Sequence, residues 1–155
     1  MEQTKEIFDS PTGWVASHVK SYVESGGAKG HQFYGNDTLL LTTRGRRTGR
    51  LRRTALIYGR QNEEYVVVGS NAGSADHPFW YLNLLAEPRV QVQVGAEVFP
   101  AIARPATAAE RPALWTLMTS LFPTYKQYQK KTAREIPIVV IQRADDPVEP
   151  ADGGS

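Results

Sequence analysis

An alternation of valine and glutamine over residues 90–94 constrains the fold more than any other feature of the sequence. Side chains of a strand point alternately to its two sides, so Val90, Val92 and Val94 would face a core while the intervening glutamines face water. Residues 98–104 follow after a short break and form the predicted hairpin partner. A hairpin with one buried and one wet face is typical of antiparallel sheets.

Predicted elements elsewhere in the chain complete an antiparallel barrel. Short apolar, β-branched segments predict strands at residues 39–43, 54–60, 65–68 and 138–141. Helices are predicted at residues 10–26, 79–86 and 107–121 and from Thr124 onwards, and Asn36 and Asp37 form a predicted turn. Thr107 and Glu110 form a predicted capping box at the start of the third of these helices. Hairpin spacing with few crossovers favours a barrel over a doubly wound sheet. No glycine fingerprint lies between a strand and a helix, so Rossmann-type dinucleotide binding has no support.

Two of the predicted helices differ in their polarity. Residues 79–86 are apolar on nearly all sides, which predicts a buried helix. In the first helix Val15, Val19, Tyr22 and Val23 fall on one face. We expect this face to pack against the barrel, with peripheral contact to a membrane as the alternative. The sequence shows neither a signal peptide nor an apolar run of about 18 residues, so we expect a cytoplasmic protein.

Composition and charge limit the kinds of site that the chain can form. The chain has no cysteine, which excludes disulfides and thiolate chemistry, and with three histidines we expect no metal site. The net charge is +2, but six arginines and no acid occur between Arg44 and Arg53, whereas residues 144–155 carry only acidic charges. We predict one domain over residues 1–143, with an N-terminal helical segment at 1–30, and a disordered acidic tail at 144–155.

The arginine segment, residues 44–53, is predicted to bind an anionic partner. Gly45 and Gly49 allow sharp turns that expose backbone N–H groups, and guanidinium forks match phosphate and carboxylate oxygens. A solvated basic surface loop is the plain alternative. Nucleic-acid binding is disfavoured because the run is short and no further basic surface supports it.

Two more segments carry candidate site residues. Residues 69–77 form a small-residue loop that leads into a helix N-terminus, where backbone N–H groups favour an anion or a polar ring edge. Tyr125 and Tyr128 are three residues apart and therefore share one face of a helix. A phenol can hydrogen-bond a carbonyl oxygen and donate a proton when charge develops there. Packing at the edge of the core is the alternative role for both tyrosines.

Taken in order, these segments resemble the deazaflavin-dependent nitroreductase family, whose members use coenzyme F420. The similarity covers residues 39–143, and its landmarks are Gly45-Arg46-Arg47-Thr48-Gly49, Pro78-Phe79-Trp80-Tyr81-Leu82-Asn83-Leu84, Val90-Gln91-Val92-Gln93-Val94, Phe122-Pro123-Thr124-Tyr125 and Ile136-Pro137-Ile138-Val139-Val140. The resemblance implies an α+β fold, a mostly antiparallel split β-barrel with flanking helices. It also implies a reductase that transfers a hydride from reduced coenzyme F420 to a small electrophile, a quinone or a nitroaromatic compound.

Specific residue roles follow from the resemblance. Coenzyme F420 carries a phosphate and an oligoglutamate tail, which is the kind of polyanion that the arginine segment suits. The implied coenzyme contacts are Arg46, Arg47, Thr48, Arg52, Arg53, Thr54, Ala55, Leu56, Ile57, Val68, Gly69, Ser70, Asn71, Phe79, Trp80, Tyr81, Leu82, Asn83 and Tyr125. The implied catalytic groups are Tyr125, Tyr128 and Ser70, which stabilise or protonate the oxyanion that develops on the acceptor.

Two alternative functions remain open at this point. A non-catalytic carrier of coenzyme F420 would use the same arginines. A related barrel enzyme would place the phosphate of flavin mononucleotide on them, although six arginines exceed what one phosphate needs. The family's nitroreductase branch can carry a tyrosine at the position of Phe122 and an aromatic residue at that of Lys131. The identity of the acceptor therefore follows from the resemblance less directly than that of the coenzyme.

Overall fold

The computed structural model describes residues 7–9, 19–20, 22–25, 32–33 and 35–144. These residues contain nine strands, namely β1 (Ile7–Asp9), β2 (Gln32–Phe33), β3 (Asn36–Arg44), β4 (Leu51–Ile57), β5 (Gly59–Gln61), β6 (Glu64–Val68), β7 (Arg89–Val94), β8 (Glu97–Pro105) and β9 (Ile138–Arg143). Three α-helices lie within residues 35–144, namely α1 (Phe79–Ala86), α2 (Arg111–Leu121) and α3 (Thr124–Lys130).

The strands form one sheet in the order β1-β4-β3-β7-β8-β9-β6-β5, with β2 paired to β3. Every pairing is antiparallel except that of β1 with β4, which is parallel. Strands β4 and β6 are in contact although they do not pair. The sheet is therefore curled. The expected antiparallel barrel with flanking helices is confirmed in this curled sheet.

Two hydrophobic clusters pack against the curled sheet, one beneath α1 and the other beneath α2 and α3. The first joins the sheet to α1 and contains buried Leu39, Leu41, Val67, Leu84 and Phe99 among others. The second joins β6 and β9 to α2 and α3, and its buried members are Ile57, Val66, Val68, Leu114, Met118, Tyr125, Ile136, Ile138 and Val140. Helices α2 and α3 are therefore held on the sheet by apolar packing.

Two local predictions are confirmed in detail. Strands β7 and β8 form the predicted hairpin with Val92 opposite Phe99, and its turn contains Gly95 at φ +60°. The capping box before α2 makes both of its bonds. The Glu110 N–H donates to Thr107 Oγ1 at 3.2 Å, and the Thr107 N–H donates to Glu110 Oε1 at 2.8 Å.

Three local predictions are wrong. Asn36 and Asp37 do not form a turn but begin β3, where they pair with β2, and the Asn36 side chain donates to the Leu121 carbonyl at 2.8 Å. Residues 54–60 do not form one strand, because β4 pairs with β3 whereas β5 pairs with β6. Helix α1 is not buried on all sides, since Phe79 is 78% and Leu85 50% exposed.

The N-terminal helix prediction is tested at a few positions only. Residues 19–20 and 22–24 are helical, and Val19 and Tyr22 are buried against Leu40 and Ala55. Val23 is 38% exposed, so it does not share the buried face. The Tyr22 hydroxyl accepts the Gly95 N–H at 2.6 Å and donates to the Thr38 carbonyl at 3.1 Å. These side chains pack on the outer face of the sheet.

Two predictions fall mostly outside the described residues. The remainder of the 1–30 segment, including Val15, and the acidic tail from Asp145 to Ser155 are not among them. Ala144 belongs with the sheet, since its N–H donates to the Pro100 carbonyl at 2.9 Å. None of the helices in the described part of the chain is long and apolar enough to cross a membrane.

Candidate functional site

The arginine segment turns between β3 and β4 in a conformation that its own backbone fixes. The Gly45 N–H donates to the Arg50 carbonyl at 2.7 Å, and the Gly49 N–H donates to the Gly45 carbonyl at 2.8 Å. The Thr48 hydroxyl accepts the Arg50 N–H at 3.1 Å. Gly49 lies at φ +72°, a conformation that glycine adopts without steric cost. The turn is therefore ordered by local interactions.

One buried side chain ties this turn to α1. Asn83 is 5% exposed, and its Oδ1 accepts the Arg46 N–H at 3.1 Å while its Nδ2 donates to Thr43 Oγ1 at 3.2 Å. Both ends of the amide are thus used within the protein. Asn83, an expected coenzyme contact, thus bonds to the backbone of the arginine turn and to β3.

The guanidinium groups at the tip of the turn are available to a ligand. Arg46 and Arg47 are exposed, and their guanidinium groups have no hydrogen-bond or ion-pair partner among the residues that the structure describes. The Arg44 guanidinium instead donates to the Gly49 carbonyl at 2.9 Å and braces the turn. Two unpaired cations beside an ordered turn are suited to binding phosphate or carboxylate groups.

Strand β4 presents its predicted site residues on two opposite faces. Arg52, which lies opposite Thr43 in the ladder, shares the α1 side of the sheet with Thr54 and Leu56. Arg53, Ala55 and Ile57 alternate with them and point to the other side, and Ala55 is buried against Val19 and Tyr22. The structure therefore separates these six residues into two sets of three.

Helix α1 carries an exposed ring on the helix face from which Asn83 bonds to the arginine turn. Phe79 lies four residues before Asn83 and so occupies the same helix face, one turn closer to the N-terminus. Trp80 and Tyr81 pack against the first hydrophobic cluster, and Leu82 is half-buried. Of the predicted contacts on α1, Phe79 is the one that is open to a ligand.

The 69–77 loop contains a left-handed turn. Asn71, Ala72 and Gly73 lie at φ +47°, +54° and +78°. Such angles are unusual for residues other than glycine, and for alanine they are strained. The loop packs on α3, because a Cβ added at Gly73 would come within 2.8 Å of the Tyr128 carbonyl oxygen. Ser70 is half-buried, and its hydroxyl makes no hydrogen bond to other described residues.

Arg134, which follows α3, holds this loop from the side. Its Nε donates to the Ser74 carbonyl at 2.8 Å, its Nη2 to the Ser70 carbonyl at 2.7 Å, and its Nη1 to the Gly69 carbonyl at 3.3 Å. Nη1 also lies 2.9 Å from His77 Nδ1. Sequence reasoning missed Arg134, because a single arginine between a helix and a strand gives no pattern that points to a loop some 60 residues away.

The tyrosine pair on α3 lies in an aromatic cluster with Phe122. The Tyr125 ring centroid is 5.0 Å from that of Phe122 and 6.5 Å from that of Tyr128. Tyr125 is 6% exposed, yet its hydroxyl has no hydrogen-bond partner within the described part of the chain. Burial, and to a smaller extent Tyr128, raises the pKa of the Tyr125 phenol, so this group stays protonated. A buried hydroxyl without a partner is uncommon and marks Tyr125 as a candidate ligand group.

A cleft opens next to this cluster. Its volume is about 470 Å³, and it is lined by Asn36, Leu121, Phe122, Pro123, Thr124 and Tyr128. Lys131, at the position where the nitroreductase branch can carry an aromatic residue, donates to the Ala72 carbonyl at 3.3 Å and lies 6.0 Å from the Tyr128 ring. The positions of Phe122 and Lys131 are therefore next to Tyr128, one on the cleft and one on the loop.

Most of the predicted residues lie along β4 or next to its two ends. The arginine turn precedes Leu51. Ile57, at the other end of the strand and on the Ala55 face, shares a cluster with Val68 and Tyr125. Arg52 and Ile57 are five residues apart, or about 17 Å along a strand. The candidate site is thus elongated, with cations near one end of β4 and a protonated phenol near the other.

Comparisons with known proteins give this arrangement a family. A family model described as F420H(2)-dependent quinone reductase matches residues 14–143. An F420H(2)-dependent quinone reductase of Mycobacterium tuberculosis is 35% identical over 130 residues, which are 81% of this chain and 87% of that protein. The chain belongs to the F420H(2)-dependent quinone reductase family. It is therefore a coenzyme F420-dependent oxidoreductase, as we expected.

Solved structures agree with the family and with the split barrel. An F420-H2 dependent reductase, FDR-A, superposes with a TM-score of 0.63 at 38% identity and covers 68% of this chain and 93% of its own. A structure described as a domain-swapped dimer superposes with a TM-score of 0.66 at 36% identity, covering 86% of this chain and all of the other. The predicted split-barrel fold of this quinone reductase family member is confirmed.

Proposed function

We propose that this protein reduces a quinone with a hydride from reduced coenzyme F420, and that the coenzyme lies along β4. The observation that carries this proposal is the elongated site, in which the exposed, unpaired guanidinium groups of Arg46 and Arg47 are separated by the length of β4 from the buried phenol of Tyr125. A ligand with a polyanionic tail and a planar polar ring matches these two ends.

At the cationic end, Arg46 and Arg47 bind the phosphate and the glutamate carboxylates. Thr48 lies in the same turn and Arg52 follows it in β4, and both add donors to this end. The donor set fits a polyanion, because guanidinium groups form paired, charge-assisted hydrogen bonds with phosphate and carboxylate oxygens. Thr54 and Leu56, which share the face of Arg52, and the exposed ring of Phe79 contact the middle of the coenzyme. We leave Ala55 and Asn83 out of the contact set, because both are buried in internal packing.

At the other end, Ser70, Tyr125 and Tyr128 serve the acceptor. The bound coenzyme supplies the hydride, and the two electrons and one proton transferred leave a negative charge on a quinone oxygen until a second proton arrives. Tyr125 donates a hydrogen bond to that oxygen, since the raised pKa of its phenol keeps the proton in place. Ser70 and Tyr128 add polar groups, and the rings of Phe122 and Tyr128 line the cleft that accommodates a planar acceptor. The second proton comes from solvent.

A titration followed by a turnover assay tests this function. Oxidised coenzyme F420 is added to the purified protein while its fluorescence is followed, and menadione or a nitroaromatic acceptor is then added to the reduced complex. We expect binding in the micromolar range or tighter and acceptor-dependent reoxidation with menadione. Binding without reoxidation by either acceptor would identify a coenzyme carrier. Preference for flavin mononucleotide in a competition titration would contradict the proposal.

A further inference from the structure

The strained turn of the 69–77 loop needs support from outside the loop. Three consecutive positive φ angles are unfavourable, and two hydrogen bonds close the turn internally, from the Gly73 N–H to the Ser70 carbonyl and from the Ser74 N–H to the Asn71 carbonyl, both at 2.9 Å. Strained backbone of this kind persists where the surroundings over-determine it. The side chains that support this turn are those of Lys131 and Arg134, which follow Tyr128 in the chain.

We propose that Arg134 is a positioning residue that clamps the two ends of this left-handed turn and thereby fixes Ser70 at the reacting end of the site. The inference rests on the proposed function, which places Ser70 beside the coenzyme and the acceptor. Arg134 itself touches neither.

The geometry explains why this position uses an arginine. The carbonyls of Gly69 and Ser70 precede the turn and that of Ser74 follows it, and the guanidinium donates to all three. A planar fork with five donors spans these acceptors together with His77 Nδ1, whereas a lysine ammonium is a single point of charge. Lys131 adds a bond to the Ala72 carbonyl at the tip of the turn.

His77 makes the clamp sensitive to pH. Its Nδ1 accepts from Arg134 only while the imidazole is neutral, and the groups that face the ring are Arg134, Asp76 and the ring of Tyr81, whose centroid is 4.9 Å away. Burial and then Arg134 lower the pKa of His77 below its usual value, and Asp76 opposes them. The bond between Arg134 and His77 is therefore complete above pH 6.5 and is lost as the pH falls through the lowered pKa of His77, which leaves the three carbonyl bonds beside a second positive charge.

Amide hydrogen exchange in the coenzyme-free protein tests the clamp without relying on catalysis. In Arg134→Gln we expect the Gly73 and Ser74 amides to lose protection while the amides of β7 and β8 keep theirs. Arg60→Gln is the matched control, because Arg60 also donates to a backbone carbonyl, that of Glu63 at 3.3 Å, but lies in the β5–β6 hairpin and bonds neither to the loop nor to the segment around Arg134. The control should leave the Gly73 and Ser74 amides protected. Unchanged protection at Gly73 and Ser74 in Arg134→Gln would overturn the proposal.

Steady-state kinetics test the link between the clamp and the reaction. We expect Arg134→Gln to lower kcat about ten-fold or more, since a misplaced group at the reacting end slows the chemical step. Coenzyme affinity should change much less, because the arginine segment is intact. Arg134→Lys should be folded and remain slow, and it serves as the second variant if the glutamine form is unstable. A kcat equal to that of the wild type in both variants would overturn the positioning role.

The pH dependence gives an independent signature. We expect kcat of the wild type to decline below pH 6.5 and His77→Asn to lack this decline, because the Asn amide oxygen accepts from Arg134 at any pH. An identical acid decline in both proteins would contradict the clamp. If the wild type does not bind coenzyme F420 at all, the proposed function fails, and the exchange experiment alone still decides whether Arg134 holds the loop.

Discussion

The arginine turn and the 69–77 loop both leave the end of a strand, yet they are held in different ways. In the arginine turn the glycines, Thr48 and Arg44 bond to backbone groups at most five residues away, and Asn83 adds one distant contact. The 69–77 loop also has local bonds, but three of its carbonyls accept from Arg134, which is about 60 residues away in the chain. The proposed anion-binding end is therefore encoded mostly locally, whereas the proposed reacting end depends on a distant residue that the fold brings to it.

This difference has a physical basis. Binding a flexible polyanion needs charge and exposed donors, and long-range attraction tolerates small errors in position. A hydride transfer depends on close contact between two reacting atoms, so groups at that end must be held rigidly. Four sets of variants test whether the two ends are held in these different ways, and the expected effects decrease from the first set to the last.

The largest effect is expected from removing the cations at the tip of the arginine turn. The double variant Arg46→Ala/Arg47→Ala should weaken coenzyme binding on the order of 1,000-fold, because each charge-assisted contact contributes about 1.5–3 kcal/mol. The free energy of unfolding should change by less than about 0.5 kcal/mol, since both side chains are exposed and unpaired. Fluorescence titration and chemical denaturation measure the two quantities. Arg60→Ala, on the distant strand β5, is the control and should bind normally.

Removing the buried phenol should affect the other end of the site. Tyr125→Phe is expected to lower kcat on the order of 100-fold, as for the loss of one donor to a developing oxyanion. Coenzyme affinity should be nearly unchanged. Stability should be equal or slightly higher, because the variant removes a buried hydroxyl that lacks a partner. Turnover at the wild-type rate would remove Tyr125 from the mechanism.

The Asn83 amide supports the arginine turn from α1. Comparing an Asn83 variant with a Thr43 variant should separate its effect on coenzyme binding from its effect on stability. Asn83→Ala leaves the Arg46 N–H and Thr43 Oγ1 without partners, so we expect a loss of about 2 kcal/mol in unfolding free energy and about ten-fold in coenzyme affinity. Thr43→Val leaves the bond to Arg46 in place and should lower stability while affinity is kept. Equal affinity losses in the two variants would show that Asn83 does not position the turn.

The smallest effect is expected where the 69–77 loop is strained. Ala72→Gly removes the Cβ at φ +54° and should raise the free energy of unfolding by up to about 1 kcal/mol, because left-handed alanine costs about 1–2 kcal/mol and glycine gives part of this back as chain entropy. Ala113→Gly, within α2, should instead lower it by about 1 kcal/mol. A clear destabilisation by Ala72→Gly would mean that the turn is not strained.

The parts of the fold that the sequence predicts well are those whose signals are local. The valine alternation of β7, the capping box of Thr107 and Glu110, and α1 at residues 79–86 all depend on neighbours within a few positions. The errors arise where tertiary contacts decide. Asn36 is extended because it pairs with β2 and bonds to the Leu121 carbonyl, neither of which a turn propensity can reveal. The strand predicted at 54–60 is divided because residues 51–57 pair with β3 whereas residues 59–61 pair with β6.

The same contrast holds for the candidate site. Charge density marks Arg46 and Arg47 in any sequence window, and their exposure in the structure agrees with a binding role. Residue type alone cannot tell that Ala55 faces the N-terminal helical residues or that the Asn83 amide is used internally. Arg134 was missed because its contacts arise only when the fold brings the segment between α3 and β9 next to the 69–77 loop. Its neighbours in the sequence give no sign of these contacts.

The decisive measurement is a crystal structure of the protein with oxidised coenzyme F420. We expect the phosphate and glutamates on Arg46 and Arg47, the middle of the coenzyme against Thr54 and Leu56, and the deazaflavin ring beyond the Ile57 end of β4, beside Ser70 and Tyr125. A deazaflavin ring at the arginine turn, or one away from both Ser70 and Tyr125, would overturn the proposed binding mode.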